Sequence, residues 1–248
     1  MNGAESPVEP APTERFPFWG YADLLFFAGM TVPSLLLGAF IVRCVVALGG
    51  WSVRSRVVEL LPAQFLGYAI LFGFLYALFR FQYGRPFWQS LSWTRPPVNS
   101  SSIVLLGIVL AFAVAFAGSL LKTPDIDSPM KQLLSSPQAI FLIAIFGTTL
   151  GPLFEELAFR GFLQPLLVRS FGAAPGILIA AAAFGVLHLQ EYGFSWRHGL
   201  LITGAGAAFG WMRHQTGSTF ASTLMHSAYN LTFFIVLVAQ RKELSHTW

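Results

Sequence analysis

The chain has 248 residues, 55% of them hydrophobic and 10% charged, with a formal net charge of +4. Soluble domains carry roughly 25% charged residues, so this composition excludes a water-facing globular surface and leaves lipid as the solvent. The basic balance, pI about 9.5, does not point to nucleic acid: Arg54, Arg56, Arg80, Arg85, Arg95, Lys122 and Lys131 stand singly or in pairs in connections, where they can face phospholipid headgroups.

Residues 1–20 hold Glu5, Glu9, Glu14 and several prolines, with no basic segment leading into a short apolar core. They predict a disordered polar tail and no cleavable signal peptide. The first span is predicted over 21–48, with a kink at Pro33, and the second over 58–79. A loop over 80–97 follows, rich in arginine and in the aromatics Tyr83, Trp88 and Trp93, the kind that gather at membrane interfaces. The third span covers 103–121 and precedes a polar connection with Asp125 and Asp127.

The fourth span starts at 138. Gly151-Pro152 predicts a break after 150, because proline lacks a backbone donor, and a restart over 153–169. The fifth and sixth spans cover 175–189 and 198–212; the sixth carries Gly206 and Gly210 at the spacing that suits close backbone packing. The seventh covers 219–239, with a tail over 241–248. The expected fold is therefore all-α: a polytopic integral membrane helical bundle of about seven transmembrane helices, range six to eight, in one domain over 21–240. Basic residues divide almost evenly between the two sides and leave the orientation undecided. With Cys44 alone, no intrachain disulfide forms.

Chemistry concentrates in the second half. Glu155, Glu156 and Arg160 lie in otherwise apolar sequence, where each charge costs about 2.5–3.5 kcal/mol at a helix centre. They need partners or water. Glu156 and Arg160 are four apart, acid first, a favourable pair on one helical face. Glu155 points about 100° away and is left to accept a proton, as a general base must. His188 closes the fifth span, and His226 and Asn230 share one face of the seventh. Read singly, each has a structural alternative: an ion pair at a helix end, a backbone-bonded histidine, or polar side chains joining helices at roughly 1 kcal/mol each. Together they supply a carboxylate base, imidazoles and an amide donor, the parts that activate water and hold an oxyanion. Asp23 and Glu59, at span starts, read as headgroup-facing; His198, His214 and His246 match no motif, and Ser227 and Tyr229 have no assigned role.

The motifs Glu-Glu-x-x-x-Arg at 155–160, Phe-x-x-x-His at 184–188 and His-x-x-x-Asn at 226–230 resemble, in that order, the CPBP family. This family comprises CAAX prenyl endopeptidases and bacteriocin-processing or immunity proteins, also called Abi. The similarity covers about 138–238; the first three spans match only in hydrophobic character. The resemblance implies an intramembrane endopeptidase acting on a membrane-associated or lipid-modified peptide. By position, Glu155 would activate water with His188 beside it, Glu156 and Arg160 would brace the site, and His226 and Asn230 would bind the oxyanion. No cofactor is firmly implied. His-Glu-x-x-His is absent, although Glu155, His188 and His226 could in principle form a three-ligand zinc site. The expected partners are membrane lipid and a peptide or lipidated protein substrate, with no nucleic acid, in the plasma membrane of a prokaryote. The alternatives are a non-catalytic immunity or partner-binding protein of the same fold, and a small transporter, which would need a polar lining across the whole bilayer.

Overall fold

In hydrocarbon no water satisfies backbone N–H and C=O groups, so apolar stretches close their hydrogen bonds internally as helices. The computed structural model describes residues 16–51, 56–125 and 137–245, with side chains described from 59 and 139 onward in the last two segments and up to 240. Arg54, Asp127, Lys131, His246 and residues 1–15 of the expected tail lie outside the described residues. The helices are α1 (Tyr21–Leu48), α2 (Arg56–Ala77), α3 (Phe87–Ser90) and α4 (Ser100–Leu120) in the first half. The second half holds α5 (Pro137–Ile145), α6 (Gly151–Glu156), α7 (Gln164–Phe171), α8 (Ala173–Leu187), α9 (Trp196–Thr216) and α10 (Thr219–Ser245). The all-helical membrane bundle expected from composition is what forms.

Among the described residues, five passages are long and apolar enough to cross a bilayer: Tyr21–Leu48, Glu59–Gln82, Ser100–Leu120, Ala139–Phe171 and Thr219–Gln240. Two of the expected seven fall short, for different reasons. At 15 residues α8 rises only about 22 Å. At 21 residues α9 is long enough, but it carries Arg197 and Arg213.

The predicted break at Gly151-Pro152 does not occur. A π turn over Phe146–Leu150 leads directly into α6, a second over Leu157–Leu163 leads into α7, and one helical passage runs through to Phe171. In the π register the N–H that Pro152 lacks would have bonded the Gly147 carbonyl, which accepts from the Asn230 amide instead. Thr148 donates to the Ala144 carbonyl at 2.6 Å and Thr149 to that of Ile145, supplying the displaced carbonyls with side-chain donors. At the far end Gly172, at φ +85°, turns α7 back into α8. Gly176 there lies so close to Val168 that a Cβ would come within 2.5 Å of its backbone nitrogen.

Residues 16–20 are packed, contrary to the expected tail. Trp19 is fully buried, stacked between Phe79 and Phe162, and its indole N–H donates to the Phe162 carbonyl at 3.1 Å. Asp23 is likewise buried: it accepts from the Gly20 N–H and the Tyr83 hydroxyl, both at 2.8 Å, and so ties the start of α1 to the end of the second passage. Beyond 240, where the C-terminal tail was expected to begin, α10 continues to Ser245.

Candidate active site

Two π turns flank α6, and π turns recur at functional sites because they re-aim side chains. Here they bracket the paired glutamates. Glu156 is fully buried, and its Oε1 accepts from Arg160 Nη1 at 2.8 Å and from His226 Nδ1 at 2.9 Å. An ionised carboxylate only accepts, so the His226 proton sits on Nδ1. Arg160, equally buried, sends Nη2 to the Gly206 carbonyl at 2.8 Å. Its guanidinium carbon lies 4.6 Å from the Phe184 ring centroid and 5.5 Å from that of Phe209, contacts in which the ring faces attract the cation. The pair predicted from the i,i+4 spacing exists, and its partners come from α8, α9 and α10.

Glu155 faces the other way around the helix and is partly open, its side chain 27% exposed. Its Oε1 lies 4.0 Å from His188 Nε2 and its Oε2 lies 3.7 Å from His226 Nε2. Both separations are too long for a direct hydrogen bond and short enough for one water to touch both groups. His188 Nδ1 is 2.7 Å from the Phe184 carbonyl, which only accepts, so this imidazole also carries its proton on Nδ1. The two Nε2 atoms therefore converge on Glu155. Phe184 explains its own motif: it orients His188 through its carbonyl and caps Arg160 with its ring. Phe209 stacks on His226 with centroids 4.4 Å apart and fixes that ring's plane.

Asn230 lies one turn beyond His226 but has a different partner. Its Nδ2 donates to the Gly147 carbonyl, in the first π turn, at 2.8 Å, and one amide hydrogen is left over. Gln164 escaped the sequence reading. It is buried and donates to the Gly210 carbonyl at 2.9 Å, four residues along from the Arg160–Gly206 bond. The signal was present: Gly206 and Gly210 are spaced four apart, as Arg160 and Gln164 are, and the glycines admit polar side chains to backbone carbonyls. A Cβ at Gly210 would lie 2.6 Å from Gln164 Oε1. Glu191, in the turn Leu189–Tyr192 after His188, was also missed. Desolvation holds its carboxyl above the ordinary range; His188 opposes this and the like charge of Glu155 adds to it.

Glu155, His188 and His226 have the chemistry of zinc ligands, but the described residues include no group of three His, Cys, Asp or Glu side chains gathered closely enough to hold a metal ion.

Residues 137–232 match a family model described as Type II CAAX prenyl endopeptidase Rce1-like. No curated protein and no solved structure matches the chain. The match spans every passage that contributes a side chain to the glutamate network and stops short of α1, α2 and α4.

Proposed function

With residues 137–232 assigned to the Rce1-like type II CAAX prenyl endopeptidases, we propose that the chain hydrolyses a peptide bond in a membrane-associated or lipid-modified peptide, with Glu155 as the general base. One observation carries this reading. The single partly open carboxylate of the network lies between two imidazole Nε2 atoms, at 3.7 and 4.0 Å, while its neighbour Glu156 is consumed by Arg160 and His226.

A water held between Glu155 and His188 gives a proton to the Glu155 carboxylate as its oxygen attacks the scissile carbonyl. The carbonyl π pair moves onto oxygen. His226 enters the step as imidazolium, its Nδ1–H on Glu156 and its Nε2–H donated in a hydrogen bond to that oxyanion and retained when the intermediate collapses, with the spare Asn230 amide hydrogen as a second donor. Collapse breaks the C–N bond, and the proton held by Glu155 passes to the leaving amine. Glu156 and Arg160 do not meet the substrate in this scheme. They set the position and proton of His226, so that the donors are in place before charge develops. The partly open face of Glu155 suits a substrate that arrives along the bilayer, and the plasma membrane of a prokaryote is the setting we infer.

The test is cleavage of a panel of prenylated, acylated and leader peptides by the reconstituted protein, followed by mass spectrometry and repeated with a strong metal chelator. The reading expects one substrate class to be cut by the wild type, not by Glu155→Ala, with the chelator having no effect. Identical blanks from both proteins across the panel would return the chain to the non-catalytic alternative, and loss of activity on chelation would move the chemistry to a metal.

A further inference from the structure

A second buried cation lies outside this network. Arg213, in the last turn of α9, is 8% exposed; its Nε donates to Thr219 Oγ1 at 3.0 Å, and no carboxylate among the described residues pairs with it. A buried guanidinium without a counter-charge is costly, and the cost falls when an anion takes its free Nη hydrogens in a bidentate contact. The space for one is present. A cavity of about 210 Å³ is lined by Arg213, Arg169 and His214, with Arg160, Gln164, Pro165 and the apolar Phe16 and Val168 completing its wall. That is room for several waters at about 30 Å³ each.

The cavity sits where passages end. Arg169 is two residues from the end of the fourth passage at Phe171, and Arg213 is three from the end of α9 at Thr216. Arg169 also donates to the Pro17 carbonyl, just before α1 begins, and the exposed Trp211 and Tyr21 mark the same edge. This is headgroup depth. It is also the opposite end of α8 from His188, so the cavity does not open from the catalytic face.

We propose that this cavity is a binding site for a phosphate anion, held by Arg213 and Arg169. The phosphate comes from a membrane phospholipid headgroup or from solution, and the two sources are separable. The purified full-length chain is examined by native mass spectrometry and thermal unfolding with phosphatidylglycerol, with diacylglycerol, which lacks the phosphate, and with inorganic phosphate. Retention of phosphatidylglycerol over diacylglycerol, falling about tenfold in Arg213→Gln and Arg169→Gln but not in Arg197→Gln at the other membrane edge, supports a lipid site. Equal protection by inorganic phosphate, with the same variant pattern, supports a site filled from solution. If Arg213→Gln does not fold, Arg169→Gln, on the half-buried rim, decides the outcome. Diacylglycerol retained as strongly as phosphatidylglycerol, or variants that bind as the wild type does, would overturn the proposal.

Discussion

The first three passages and the helices from 137 onward differ in what holds them together. In α1 and α2 the helices meet by shape: a Cβ at Gly38 would lie 2.6 Å from both the Ala63 carbonyl and the Gly67 nitrogen, so the backbones touch. The ion pair of that hairpin, Arg43–Glu59 at 2.9 Å, is exposed, and buried Asp23 sits at the membrane edge as a cap. From 137 onward such backbone contacts recur, at Gly176 on Val168 and Gly185 on Gly199, and the helices are joined in addition by Glu156, Arg160, Gln164, His226 and Asn230, each bonded to another helix. Without a hydrophobic force between helices in lipid, small residues and polar bonds are the two available adhesives. The chain uses the first throughout and the second where side chains must be held at fixed positions, and the family match begins where the second is added.

Substitutions can break this contrast. Arg160→Met leaves Glu156 buried with an uncompensated charge, so unfolding in micelles should show a loss of about 3–5 kcal/mol, with activity falling alongside. Asn230→Ala should cut kcat about 10²–10³-fold, as removal of an oxyanion donor does, while leaving most of the melting temperature intact. An equal loss of both would reduce Asn230 to a tether for the π turn. Gly38→Leu forces α1 from α2 and should cost about 1–3 kcal/mol, with turnover per folded molecule unchanged. A fall in turnover would mean that the first half shapes the site after all. Arg43→Gln should change stability by less than about 1 kcal/mol, because the pair is open to solvent or headgroups.

Local signals carried much of this molecule. The uncharged run 24–42 located α1, which spans Tyr21–Leu48, and the i,i+4 spacing placed Arg160 on Glu156. What failed was non-local or compensated. That His226 reaches a glutamate 70 residues away follows from packing, and periodicity cannot express it. Proline at 152 is a sound breaker in isolation, but here a π turn and the Asn230 amide on the Gly147 carbonyl absorb it. Residues 16–20, Phe-Pro-Phe-Trp-Gly, group by position with the acidic, proline-bearing residues before them, yet one tryptophan finding the Phe162 carbonyl fixes them. Shared helix faces were also an incomplete guide: His226 and Asn230 are a turn apart, and their partners lie on different parts of the fourth passage.

The most direct test is the single-turnover rate of Glu155→Gln on a substrate that the wild type cleaves, in a preparation with matched melting temperature. The isosteric amide keeps the shape of the site and removes only the proton acceptor. The rate should fall about 10²–10⁴-fold with the unfolding curve unmoved. A variant that cuts within a few-fold of the wild type would contradict Glu155 as the base.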